Sequence, residues 1–145
     1  MIVLLNRLRA VRAAELRLIA EALIALAIAA LLVALLPFRR IAAFAGRPLA
    51  RRPAAGVNEA EAIAQIRWAV GACARRVPWR AKCFEQGLAA QGMLRRRSIP
   101  ATLHYGVGKR ADEGLVAHVW VRAGPSDVIG CENSADFSEM ARFPA

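Results

Sequence analysis

Pro78-Trp79-Arg80-Ala81-Lys82-Cys83, followed by Phe84 to Arg97, and then Leu115-Val116-Ala117-His118-Val119-Trp120-Val121, are the two stretches on which the fold turns. The proline closes whatever helix precedes it, and Ser98-Ile99-Pro100 stops the next one, so a helix is expected from about Cys83 to Arg97 with the cysteine in its first turn. A thiol attacks only as thiolate, a form favoured by the positive end of a helix and by a neighbouring imidazole. Cys83 is placed to receive both.

Beyond Pro100 the period changes from helix to strand. Strands are expected at 101–107, 115–122 and 127–131, with a polar loop over 108–114 and a turn at Gly124-Pro125-Ser126. Residues 134–142 read as a last short helix. His118 lies on the second strand and points to the same side as Trp120, whose indole can shield a thiol–imidazole pair. His104 is the other histidine of the chain and reads as a satisfied strand residue. A histidine base needs a partner that fixes its tautomer. With Gly124-Pro125 near the hairpin apex, residues 130–133 return opposite His118, and Glu132 is the first choice ahead of Asn133, Asp127 and Asp136.

Upstream, Asn58 with Glu61 three residues on predicts a helix start, and Ile63, Ile66, Val70, Cys73 and Val77 recur on one face of that helix. Cys73 is therefore expected in the core. Residues 6–36 read as one helix, with Arg7, Arg9, Arg12 and Arg17 early and an uncharged run from Ala22 to Phe38 that falls short of the about 20 residues a bilayer asks for. Packing on the domain or on a partner is preferred over a span. The expected organisation is an apolar helical extension over 1–44, a Gly/Pro/Arg-rich linker over 45–57, and a catalytic domain over 58–145.

The chain has 145 residues, room for one ordinary domain, and a formal net charge of +10 carried almost wholly by arginine. No aromatic residues alternate with the arginines as a single-strand nucleic-acid groove needs, so nucleic acid is not an expected partner. Three cysteines without a CxxC pair argue against a zinc ribbon and a disulfide framework and fit a reducing cytoplasm, with a membrane surface as a further contact. Neither an HExxH nor a phosphate-cradling loop is present, so no metal and no cofactor is expected.

These residues resemble the lasso peptide biosynthesis B2 proteins, similar to the C-terminal domain of the microcin J25 processing protein. The resemblance rests on Lys82-Cys83, Leu94 to Pro100, Leu103-His104-Tyr105-Gly106-Val107, Ala117-His118-Val119-Trp120-Val121, and the end of the N-terminal helix at Leu36-Pro37-Phe38-Arg39-Arg40. It implies an α+β fold with a papain/transglutaminase-like cysteine protease core, in which a Cys-bearing helix packs on a small antiparallel sheet. It also implies a leader peptidase acting on a ribosomally made precursor peptide, with Cys83 as nucleophile and His118 as general base. The implied partners are a B1-type leader-recognition protein and the lasso cyclase. Members of that family carry an acidic third residue after the histidine strand, and the position that aligns here is Gly130. A transglutaminase- or amidase-type acyl transferase on the same residues, and a non-catalytic membrane or nucleic-acid adaptor working through Arg95, Arg96 and Arg97, are the rival readings.

Overall fold

The computed structural model describes residues 2–47 and 58–144. Four helices, α1 (Ile2–Leu35), α2 (Phe38–Ala45), α3 (Glu59–Ala74) and α4 (Cys83–Arg96), pack on one antiparallel sheet of β1 (Thr102–Arg110), β2 (Gly114–Ala123), β3 (Ser126–Ile129) and β4 (Ser138–Pro144). The strand order is β3-β2-β1-β4. This is the α+β arrangement expected, with the cysteine-bearing helix laid on a small sheet.

Local chemistry explains the boundaries around α4. Asn58 Oδ1 accepts from the Glu61 amide at 3.2 Å and starts α3. Helix α4 lies close on β2 because Gly87 has no side chain: a Cβ there would sit 2.7 Å from Val119 Cγ1. Leu103, Val119 and Val121 therefore face the helix and join Ile66, Val70, Met93 and Leu94 in the buried core. The second half of α1 supplies Ala22, Leu26 and Ala29 to that same core.

Arginines at the end of α4 tie the helices together. Arg95 donates to the carbonyls of Phe44, Ala45 and Arg47 at 3.0–3.1 Å, which closes the C-terminal end of α2. Arg97 holds both carboxylate oxygens of Glu21 at 2.8 and 2.7 Å, locking α4 to α1. Two of the three arginines on which the adaptor reading relied are thus engaged inside the fold.

Two elements differ from the sequence reading. Residues 134–142, expected as a helix, form a 3-10 turn at Ser134–Asp136 and then β4, which pairs with the free edge of β1 from Thr102↔Pro144 to Val107↔Ser138. The pairing satisfies backbone groups along both strands, which a short isolated helix could not do for β1. Helix α2 begins after Pro37 and stands apart from α1, since proline ends one helix and starts the next. Residues 48–57 of the expected linker lie outside the described residues.

Candidate active site

Cys83 is the first residue of α4, so its amide and those of Phe84 and Glu85 have no carbonyl one turn earlier to bond. The first intrahelical bond is Gln86 N to Lys82 O at 2.9 Å. A buried carboxylate holds this turn in place. Glu85 is fully buried; its Oε2 accepts from the Lys82 amide at 3.1 Å, and its Oε1 lies 2.9 Å from Arg80 Nε. The residue before the cysteine and the arginine three before it are both tied to one side chain, and Cys83 inherits its position from that clamp.

A cavity of about 350 Å³ opens beside Cys83, between α3, the start of α4 and the rim of the sheet. Gln86, His118, Gly130, Glu132, Arg67 and Arg75 contribute to its wall. The cavity sits where β2 loses its neighbour: β3 pairs with Val121, Arg122 and Ala123, and the first half of β2 has no partner on that side. Strand alternation sends His118 to the face shared with Trp120, away from α4, so His118 and Cys83 meet at this rim and not across the core. No hydrogen bond joins the two side chains among the described residues.

His118 is held on three sides. Its ring stacks on Trp120 at 5.9 Å and 20°, and packs on Phe137 at 4.8 Å and 31°. Its Nε2 lies 2.7 Å from the Gly130 carbonyl oxygen. A carbonyl can only accept, so Nε2 carries the hydrogen and the neutral ring keeps its lone pair on Nδ1. The hydrogen-bond partner of His118 is therefore a main-chain carbonyl and not the side-chain acid expected.

Glu132, expected as that acid, is engaged elsewhere. Its carboxylate takes Arg67 Nη2 at 3.1 Å on the exposed part of the cavity wall. Among the alternatives, Asp127 pairs with Arg122 at 2.9 Å, Asn133 precedes the 3-10 turn, and Asp136 lies within it. The physical reason is the turn at Gly130. With φ at +73°, and with no room for a Cβ, which would fall 2.6 Å from the Val119 carbonyl oxygen, this residue swings its own carbonyl onto His118 before the chain reaches Glu132.

The other candidates have structural partners. His104 Nδ1 bonds Glu139 Oε1 at 2.7 Å while its ring stacks on Trp120 at 5.4 Å and 4°, so both histidines stack on one indole. The Arg142 guanidinium and His104 together hold the Glu139 carboxyl below the usual range. Cys73 is buried, and burial raises its pKa. Cys131 donates to the Val121 carbonyl at 3.3 Å, and burial and Asp127 raise its pKa as well. Gln86, Phe137 and Gly106 were not singled out from sequence. Gly106 faces the Trp120 ring, where a Cβ would come within 2.9 Å, and so leaves the indole its place beside His118.

A thiol at a helix N-terminus, a histidine with an assigned tautomer, and a cavity joining them on an α+β core define a thiol-enzyme fold. A family model of the Transglutaminase-like superfamily matches residues 22–142, and the chain belongs to that superfamily, which usually includes cysteine peptidases or acyltransferases. The match starts inside α1, at Ala22, which is buried in the core. No curated protein and no solved structure matches the chain.

Proposed function

We propose that this chain is a cysteine peptidase that removes the leader from a ribosomally made lasso precursor peptide before a cyclase closes the macrolactam. One observation carries the chemistry: Cys83, at the open end of α4, and His118, with Nε2 committed to Gly130, share one cavity. The substrate class comes from the resemblance to the B2 proteins. A B1-type leader-recognition protein would present the precursor, and the cyclase would receive the product.

In this reading the thiol proton passes to Nδ1 of His118 and Sγ of Cys83 bonds the carbonyl carbon at the leader–core junction. The oxyanion sits under the free first-turn amides of α4. As the C–N bond breaks, His118 returns the proton to the leaving amine, which becomes the amino terminus of the core. Water then attacks the thioester, giving up a proton to His118, and the leader acid departs as the thiol is restored. Catalytic hydrogen bonds are often long in unliganded enzymes and tighten with substrate, which accommodates the absence of a direct Cys83–His118 bond.

The test is mass spectrometry of a lasso precursor incubated with this protein and a leader-recognition partner, using wild type, Cys83→Ala and His118→Ala. Cleavage into leader and core by wild type alone supports the peptidase. Cleavage by Cys83→Ala at the wild-type rate removes the thiol from the mechanism. A product bearing an added primary amine in place of water moves the assignment to acyl transfer.

A further inference from the structure

Helix α1 is apolar on two opposite sides. Ala22, Leu26 and Ala29 are buried against the domain, whereas Ile24, Ile28, Leu31 and Leu35 are 60, 51, 59 and 75% exposed. Steps of four, three and four residues at about 100° each keep that second set within about 40° of one line along the helix. Among the described residues nothing covers it. The stripe continues into an apolar groove of about 260 Å³ between α1 and α4, walled by Ile24, Ile28, Leu32, Phe44, Leu88 and Met93. An uncovered surface of this kind marks an interaction site.

Charge selects the occupant. Exposed Arg17 lies on the same line of α1 just before the stripe, and exposed Arg39 and Arg40 follow just after it. Two copies meeting through the stripe would set arginine against arginine whether they ran parallel or antiparallel. An anionic lipid surface complements both ends at once. The segment Arg9–Leu35 is long and apolar enough to cross a membrane, but crossing would strip Ala22, Leu26 and Ala29 out of the core they share with α4. Lying in the plane keeps the core intact and still buries the stripe.

We infer that α1 docks this protein on an anionic bilayer surface, with Ile24, Ile28, Leu31 and Leu35 in the interface and Arg17, Arg39 and Arg40 against lipid headgroups. The long axis of α1 then lies in the membrane plane. The inference is independent of the peptidase reading, because it rests on a face of the fold that the cavity does not use.

Co-sedimentation of the full chain tests it, with vesicles of phosphatidylcholine alone and with about 30% phosphatidylglycerol added. Wild type is expected to pellet with the anionic vesicles, to stay largely in solution with the neutral ones, and to be released by added salt. The Leu31→Glu/Leu35→Glu double variant should bind at least about tenfold more weakly, with its circular dichroism and melting temperature unchanged because both side chains are exposed and neither walls the groove. Wild type that ignores both vesicles, or pellets equally with both, overturns the inference. So does light scattering that shows a dimer dissolved by the double variant, or resistance of the bound protein to alkaline extraction, which would make α1 a span.

Discussion

Alanine substitutions at Gly130 and Gly114 separate backbone strain from the support of His118. Both glycines have φ of +73°, so both substitutions force a side chain into the left-handed region, at a cost of about 1 kcal/mol. At Gly114 nothing lies within 4 Å of the added Cβ, and the strain is the whole effect. At Gly130 the Cβ falls 2.6 Å from a main-chain oxygen that cannot swing aside, so the turn itself must move and carry the carbonyl off His118. Local distortion of about 2 kcal/mol and a weakened hydrogen bond of about 1 kcal/mol bring Gly130→Ala to about 4 kcal/mol. At about 3 °C per kcal/mol for a chain of this size, Gly114→Ala should melt about 3 °C below wild type and Gly130→Ala about 12 °C below. Thermal denaturation followed by circular dichroism reads both. For the proposed peptidase, hydrolysis of precursor should fall up to about a hundredfold in Gly130→Ala and stay unchanged in Gly114→Ala. Equal destabilisation by the two substitutions, or full activity in Gly130→Ala, refutes the assignment of its carbonyl as the histidine's support.

Iodoacetamide at neutral pH should label Cys83 first, because it opens on the cavity while burial disfavours the thiolates of Cys73 and Cys131; peptide mapping over time gives the order. The Glu21 carboxyl is held below its ordinary value of 4.5, chiefly by its hydrogen bond from Arg97. Its contribution is therefore present above the ordinary carboxylate range and is lost as pH falls through the lowered value. Glu21→Gln should cost about 1–2 kcal/mol at neutral pH and make urea stability less sensitive to acid, and an unchanged acid profile would remove the pair from the stability of the α1–α4 contact. Glu85→Ala takes the acceptor from the Lys82 amide and the ion-pair partner from the exposed Arg80, and the lost hydrogen bond at a buried side chain should cost about 1–2 kcal/mol. Glu85→Gln keeps an acceptor for Lys82 and should recover part of that loss in the same urea titration.

The helix that carries Cys83 was legible because its limits are written in residues with strong local preferences, Pro78 before it and Ser98-Ile99-Pro100 after it. The hairpin was legible too, and residue 130 does return beside His118. What sequence could not express is an acceptor supplied by main chain, since every residue has a carbonyl and none is marked by a letter. Reading only side chains led to Glu132. The signal was the glycine itself, standing where an acid was expected, with its left-handed turn as the reason. Strand β4 was hidden for a different cause: Ser138 to Pro144 become a strand only because β1 offers a free edge, and that edge comes from tertiary pairing.

A carbonyl in place of a carboxylate does half of the third residue's work. It fixes which nitrogen of His118 carries the hydrogen and so aims the ring, but it brings no negative charge to an imidazolium. The carboxylate in the wall of the same cavity, Glu132, is matched to Arg67. Compensation has to come from elements that act without charge. Here they are the packing of His118 on Trp120 and Phe137, which holds the ring, and the unpaired amides at the start of α4, which can donate to an oxyanion. In the proposed peptidase, the site would rely on orientation and on the helix terminus where an acid would have supplied electrostatics. That is why the turn at Gly130, which orients His118, and the Glu85 clamp, which holds the start of α4, are the positions where small changes should be felt most.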